Sequence, residues 1–294
     1  MNASSKREKF KTLLSSSDSI ILIGVHDALS AKLVELAGWQ ALWASSFGFS
    51  AVSGLPDANL LTFTENLETI RKIIQSTKLP LIADCDNGYG DLNIFNRVVK
   101  EYEIAGVTGI CIEDNVFPKR CSFYNKEIKR KLVPISEYIA KIKLATNVRN
   151  DKNFFVIART EAFIAGLGLK EALKRASAYV KAGADAICIH SKKTDASEIL
   201  KFADLWNHKI PLVAIPTTYY MVHPLVLYKS GYKIIVFANQ LLRNTIRSMK
   251  AFLLEIRDEK KRVDVFNNKI ADLEEVFDIT GIEEMKILEK KFSP

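Results

Sequence analysis

The chain has 294 residues, 48% hydrophobic and 26% charged, with a formal charge of +8. These are the proportions of an ordinary soluble globular protein, long enough to build a core without disulfide staples. The basic excess is spread as mixed Lys and Glu, as in "RDEKKR" at 257–262, with no basic stripe interleaved with aromatics. This argues against nucleic acid and leaves only a weak preference for small anions.

In chain order, the apolar run "IILIG" (20–24) predicts a strand, and "ALSAKLVELAG" (28–38) has helical period and stops on Gly38. Strands follow at "ALWASS" (41–46) and "PLIADCD" (80–86). The helix "FNRVVKEYEIAG" (95–106) then stops on Gly106, before the strand "GICIED" (109–114). "SEYIAKIKLATNV" (136–148) is a helix with Ser136 as its expected N-cap. The strand "FFVIART" (154–160), the helix "LKEALKRASAYVKAG" (169–183), the strand "AICIHS" (186–191) and the helix "ASEILKFADLW" (196–206) come next. "PLVAIP" (211–216) and "IIVFAN" (234–239) complete eight strands, and from about 240 onward the pattern is helical.

Continuous apolar strands are buried on both faces, as in parallel sheets. Three helices end in Ala-Gly just before a strand, which suggests one repeated βα unit. Eight such units predict a single (β/α)8 TIM-type barrel domain over 1–294, with 240–294 a helical C-terminal extension. An open doubly wound sheet fits less well, because no G-x-G-x-x-G turn follows a strand. The four cysteines, Cys85, Cys111, Cys121 and Cys188, form no C-x-x-C pair. They read as reduced thiols of a cytoplasmic protein, not as a zinc site or a disulfide framework. The first twenty residues lack a signal-peptide core, and no apolar run nears the roughly 20 residues that span a bilayer, so no membrane partner is expected.

In such barrels chemistry gathers where strands end. Here the ends carry Asp84 and Asp86; Glu113 and Asp114; Arg159 and Glu161; and His190, Ser191 and Lys192. Asp84 and Asp86 alternate, so both can point one way. Carboxylates aimed at one spot need a cation, and an oxygen donor set suits Mg²⁺ or Mn²⁺. For Asp114, loop hydrogen bonding explains the residue as well as a site role does. Arg159 reads as an oxyanion or carboxylate clamp, with an ion pair to Glu161 or Glu113 as the plainer alternative. His190 beside Ser191 and Lys192 reads as an anion contact, although a lone His is more often a satisfied core residue. Trp43, Ser45 and Ser46 end the second strand; Trp43 alone suits packing, and the following N–H groups suit an anion. A metal with Arg and His suits a small-molecule 2-keto acid or its enolate.

These motifs resemble the isocitrate lyase and phosphoenolpyruvate mutase superfamily over nearly the whole chain. "DCDNGYG" is similar to its D-x-D-x-G-Y-G metal motif and "EDNVFPKRCSF" to its gating loop. The resemblance implies a Mg²⁺-dependent barrel acting on 2-keto acids or phosphonates. It also implies a homotetramer or dimer of dimers whose last barrel helix is exchanged between subunits. Asp57, Asp84, Asp86 and Glu113 match the acidic metal-site residues: Asp84, Asp86 and Glu113 as ligands, Asp57 with a catalytic part. Ser45, Ser46 and Phe47 match the substrate-holding segment, joined by Trp43. Arg159 and His190 match substrate contacts, and Lys119, Cys121 and Ser122 belong to the catalytic loop.

The strands around "IARTEAFIAGLGLKEALKRASAYVKAGADAICIHSKK" resemble phosphoenolpyruvate mutase and phosphonopyruvate hydrolase. Lys119-Arg120-Cys121 resembles the carbon–carbon lyases, where a Cys serves as general acid, while Ser122-Phe123 is mutase-like. Asn115 and Cys121 stand where the mutase has Lys and Asn. The resemblance implies interconversion of phosphoenolpyruvate and phosphonopyruvate. The alternatives are phosphonopyruvate hydrolysis, and cleavage of a 2-methylisocitrate-like or oxaloacetate-like acid. Lys119 and Arg120 are expected to lower the Cys121 pKa and favour its thiolate; a small residue tolerated on a loop is the other reading.

Overall fold

The computed structural model describes residues 2–16, 18–124 and 130–293. The chain forms two compact units, Met1–Leu241 and Leu242–Pro294. In the first unit eight parallel strands close a barrel in chain order. They are β1 (Ile20–Val25), β2 (Ala41–Ala44), β3 (Leu81–Asp84), β4 (Gly109–Glu113), β5 (Phe155–Thr160), β6 (Ala186–Ile189), β7 (Leu212–Ala214) and β8 (Tyr232–Phe237). β8 returns to β1 with Ile20 opposite Ile234 and Ile23 opposite Phe237. This is the (β/α)8 barrel expected from the strand count.

The helices of this unit are α1 (Ala3–Ser15), α2 (Ala28–Leu36), α3 (Ser46–Val52), α4 (Phe63–Ser76), α5 (Leu92–Ala105), α6 (Ile135–Val148), α7 (Gly168–Lys181), α8 (Ser197–Asp204) and α9 (Pro224–Lys229). Gly38, Gly106 and Gly183 have φ of 81°, 95° and 105°, the left-handed backbone that ends a helix and turns the chain into the next strand. One expectation needs correction. Pro134 (φ −52°, ψ 142°) supplies the extended residue before α6, so Ser136 lies inside the helix and does not cap it. Helix α4 escaped the periodicity reading, although its Thr62–Glu65 capping box is a local start signal.

Several strands end sooner than their apolar runs suggest, because the polar residues that follow turn into loops at the barrel mouth. Leu22, Trp43, Ile82, Cys111, Ile157, Cys188, Val213 and Val236 fill the barrel. Their sequence neighbours, such as Leu42, Ala83, Ile110, Val156 and Ile187, pack beneath the helices. This two-sided burial is why the strands read as unbroken apolar runs. At the opposite end Phe10 of α1 joins the interior cluster, edge-on to Phe155 at 5.4 Å. Its burial contributes about 1.5–3 kcal/mol. Lys6 Nζ donates to Thr77 O (2.7 Å) and Arg7 Nη2 to Glu103 O (2.8 Å), which pins this floor in place.

The second unit is helical. It comprises most of α10 (Gln240–Ile256), then α11 (Arg262–Lys269), α12 (Leu273–Thr280) and α13 (Ile282–Phe292). Phe252 and Phe266 meet at 6.2 Å between α10 and α11, and Lys269 pairs with Glu255 at 2.5 Å. Ile246, Met249, Leu253 and Leu254 of α10 are exposed, as are Leu273 of α12 and Ile287 of α13.

Candidate active site

A cavity of about 50 Å³ lies at the C-terminal mouth of the barrel. It is walled by Trp43, Ser45, Ser46 and Phe47 after β2, by Asp57, by Asp84, and by Glu113. Lys119, Cys121, Ser122 and Phe123 close it from the loop after β4, and Arg159 and His190 from β5 and β6. Of the thirteen site residues that the family resemblance implies, only Asp86 is absent from this wall, and it bonds Lys119 instead; Asp114, Glu161, Ser191 and Lys192, also noted at the strand ends, do not line it.

One half of the site is acidic. Lys119 Nζ lies 2.8 Å from Asp57 Oδ1, bonds Asp86 Oδ1, and lies 4.0 Å from Glu113 Oε1. It also donates to Ser46 Oγ at 3.1 Å, and Ser46 in turn donates to Asp84 Oδ2 at 3.1 Å. Asp86 has φ 48°, in the left-handed region, and its carbonyl accepts the Glu113 N–H at 2.7 Å. That turn ties the β3 and β4 ends together. Burial pushes the Asp86 and Glu113 carboxyls above the usual range, against the opposing pull of Lys119 on the first and of Arg159 and Lys119 on the second. Burial alone would lower the Lys119 pKa; Asp57, Asp86 and Glu113 outweigh it and hold the ammonium charged.

The other half is built round Arg159. Its Nε donates to Glu161 Oε1 (2.6 Å), and its Nη2 lies 3.1 Å from Glu113 Oε2, 3.2 Å from Ser122 Oγ and 2.8 Å from His190 Nδ1. Both ion pairs raised as the plainer alternative for Arg159 are therefore present, and the residue still faces the cavity. Glu161 Oε2 accepts the Ser122 hydroxyl at 2.6 Å, and His190 Nδ1 is 2.9 Å from Glu161 Oε1. Burial would raise the Glu161 pKa, but Arg159 and His190 hold it well below the usual carboxylate range. Burial and then Arg159 push the His190 pKa down, so the ring is neutral near pH 7. His190 Nε2 is buried with no hydrogen-bond partner among the described residues. A ligand oxygen would satisfy it.

Cys121 corrects an expectation. Its thiol is pushed up to about 11, first by burial and then by Asp57; Lys119 opposes this with a smaller effect. The group is a thiol at neutral pH, not a thiolate. The reason is geometric: Lys119 spends its charge on three carboxylates, and the Arg120 side chain donates to Lys119 O.

Among the described residues no three His, Cys, Asp or Glu side chains form a ready metal cage, and the Lys119 ammonium lies among the acids. The donor chemistry nevertheless fits Mg²⁺. Among the described residues, Lys119 and Arg159 are the Lys and Arg side chains paired with the acids Asp57, Asp86, Glu113 and Glu161, Asp84 stands beside them, and the excess negative charge is buried. Mg²⁺ needs only one or two carboxylates, with water and substrate oxygens completing its shell.

Residues 10–257 match the family model described as phosphoenolpyruvate phosphomutase. The chain belongs to the phosphoenolpyruvate phosphomutase family. A phosphoenolpyruvate phosphomutase from Tetrahymena pyriformis is 38% identical, over 98% of this chain and 95% of that protein. The crystal structure of phosphoenolpyruvate phosphomutase from Streptomyces platensis subsp. rosaceus superposes with a TM-score of 0.95 at 36% identity, covering all of both chains. A phosphonopyruvate hydrolase solved in complex with oxalate and Mg²⁺ gives 0.91 at 35%, again covering both chains completely.

Within this family frame, Phe123 figured in the sequence only as part of the mutase-like Ser122-Phe123 pair, and Thr217 and Asn239 were passed over. Phe123 packs edge-on against His190 at 5.4 Å, and Thr217 and Asn239 supply the β7 and β8 sides. The Asn239 Oδ1 is buried without a partner among the described residues. The only signal for Thr217 and Asn239 was position, at or just past the end of an apolar strand run.

Proposed function

We propose that this chain is a phosphoenolpyruvate phosphomutase, interconverting phosphoenolpyruvate and phosphonopyruvate with Mg²⁺, and with Mn²⁺ as a substitute. One observation carries this reading. Ser122 bonds both Glu161 and Arg159, and Lys119 is drawn among the carboxylates, so the loop after β4 folds down on the site. The remaining 50 Å³ is far below the roughly 300–1,000 Å³ of a ligand pocket. The loop therefore withdraws for substrate entry and returns over it. Excluding water is what a phosphoryl group needs if it is to pass between two atoms of one substrate.

In the reaction the P–C bond of phosphonopyruvate breaks and its electron pair stays with the pyruvate enolate. The enolate oxygen then attacks phosphorus, forming the P–O bond of phosphoenolpyruvate. Arg159 neutralises the phosphoryl charge, and its four contacts hold it rigid while it does so. His190 Nε2 meets a phosphoryl oxygen. Trp43, Ser45, Ser46 and Phe47 hold the pyruvyl end. Asp84, Asp86 and Glu113 would hold the metal, with Asp57 and Lys119 balancing charge beside them. Bound Mg²⁺ supplies Lewis-acid stabilisation of the enolate charge.

The test is ³¹P spectroscopy of the purified protein with Mg²⁺ and phosphonopyruvate. Phosphoenolpyruvate without free phosphate is expected; phosphate and pyruvate instead would replace the mutase with the hydrolase. A second reading, carbon–carbon cleavage with Cys121 as proton donor, is favoured by one observation: the thiol is buried in the cavity wall and protonated. Turnover of 2-methylisocitrate or oxaloacetate, with none of phosphonopyruvate, would select it.

The same proposal includes a homotetramer in which the helices beyond residue 240 pack on a neighbouring subunit. The exposed apolar side chains of α10, α12 and α13 support it, and light scattering of the full chain tests it. A cytoplasmic setting is proposed from the four free, buried cysteines; no helix of the described residues is long and apolar enough to cross a membrane.

A further inference from the structure

Asp114 follows β4, is fully buried, and is no part of the cavity wall. Its main chain roots the loop. Its N–H donates to Arg159 O at 3.2 Å, and its carbonyl accepts the Val133 N–H at 2.9 Å. Next to it Asn115 bridges Leu132 in antiparallel fashion, and Val116 N donates to Lys131 O at 3.1 Å. The outgoing limb, Asn115 to Tyr124, and the returning residues from Arg130 therefore share one short ladder that starts at Asp114.

The carboxylate of Asp114 holds the other end of the same limb. Oδ1 accepts the Glu161 N–H at 2.8 Å. Oδ2 accepts from Thr160 Oγ1 (2.9 Å), Tyr179 OH (2.6 Å) and Arg175 Nη1 (3.2 Å), and that Arg175 nitrogen also reaches Val133 O at 3.0 Å. Glu161 is the residue onto which Ser122, near the tip of the limb, latches. One buried carboxylate thus fixes both the root and the catch of the limb. This is more than the local loop hydrogen bonding that would otherwise explain an aspartate after a strand.

We propose that Asp114, held by Tyr179 and Arg175, is a positioning residue that sets how firmly this limb closes, and so decides the fate of the phosphoryl group. The inference rests on the mutase reading. With the limb latched, the enolate oxygen takes the phosphoryl group and phosphoenolpyruvate forms. With it loose, water takes the same group: a water O–P bond forms, the P–C pair collects a proton at carbon, and the products are phosphate and pyruvate. No other reactant is needed.

The test uses the full chain with Mg²⁺ and two variants, Asp114→Asn and Tyr179→Phe. Two rates are read: trypsin cleavage after the exposed Arg120, and the phosphate-to-phosphoenolpyruvate ratio from phosphonopyruvate. Tyr179→Phe removes one of the four hydrogen bonds to the Asp114 carboxylate, together with the one that Arg175 Nη1 donates to the phenol oxygen, and leaves the other three to Asp114, so it carries the test if Asp114→Asn does not fold. Both rates are expected to rise about five-fold or more, the loss of roughly one hydrogen bond, while the rest of the barrel resists the protease. Unchanged cleavage at Arg120 overturns the proposal. So does faster cleavage with an unchanged product ratio, or cleavage that spreads through the barrel, which would mark Asp114 as merely structural. If the unaltered protein makes no phosphoenolpyruvate, the mutase reading fails, and Arg120 cleavage alone then decides whether Asp114 sets the limb.

Discussion

The ammonium of Lys119, carried on the loop after β4, lies 2.8 Å from the carboxylate of Asp57 and bonds Asp86 as well. A cation of the protein thereby sits among the acids expected to hold a divalent one. Lys119→Met should have two opposite effects. Mg²⁺ should bind about five-fold more tightly without substrate, because a competing positive charge is gone. Turnover should fall about 10²-fold, because the loop loses its anchor. Calorimetric Mg²⁺ titration beside a turnover assay separates the two; an unchanged Mg²⁺ affinity would show that ammonium and metal do not compete for these carboxylates.

Cys121 offers a sharper division between chemistries. General acid–base groups are typically worth 10²–10⁴-fold. If the mutase interconversion is the reaction, Cys121→Ala should cost less than about 10-fold, since no proton moves in it. A loss in the full 10²–10⁴ range would identify Cys121 as a proton donor and favour carbon–carbon cleavage. The raised thiol pKa adds a second measurement. Iodoacetamide labelling of Cys121, followed by peptide mass spectrometry, should be slow at pH 7 and climb with pH toward about 11. Rapid labelling at pH 7 would mean that the thiol is not held protonated.

Glu161 grips Arg159 and receives Ser122, so Glu161→Gln should free both. Turnover is expected to fall about 10²–10³-fold, with Glu161→Asp recovering part of it. The pH dependence of stability has a definite sign. The folded-state pKa is depressed, so this carboxylate stabilises the fold above its unfolded value of about 4.3 and loses that contribution as pH falls through the folded value. Melting curves of the two proteins should therefore converge on acidification. Parallel curves at every pH would remove Glu161 from the acid response.

How much of this was open to view in the sequence depends on distance along the chain. The strands were legible because two-sided burial makes each a continuous apolar run, and Asp84, Glu113, Arg159 and His190 were legible as the polar residues that end those runs. The part of Lys119 and Ser122 came only through the family resemblance, because their partners Asp57, Asp86 and Glu161 belong to other loops and strand ends. The Cys121 pKa was misread for the same reason. Neighbouring cations in sequence suggested a thiolate, whereas burial and Asp57, distant in sequence, decide the outcome. Asp114 stayed ambiguous because Tyr179 and Arg175, which give it a role, lie on α7.

The acid cluster predicts how metal and pH act together on stability. Burial raises the pKa of Glu113 and Asp86 in the folded state. A carboxyl with a raised folded pKa binds its proton more tightly when folded. Its contribution is complete below the unfolded values of about 3.9–4.3 and is lost as pH rises through the folded ones. The metal-free protein should therefore melt at progressively lower temperature as pH rises from about 5 towards 9. Mg²⁺ binds the deprotonated carboxylates, so its stabilisation should grow over that same range and flatten the profile. Scanning calorimetry with EDTA and with saturating Mg²⁺ at each pH provides the check. A Mg²⁺ shift equal at pH 5 and pH 9 would mean that these carboxylates are not where the ion binds.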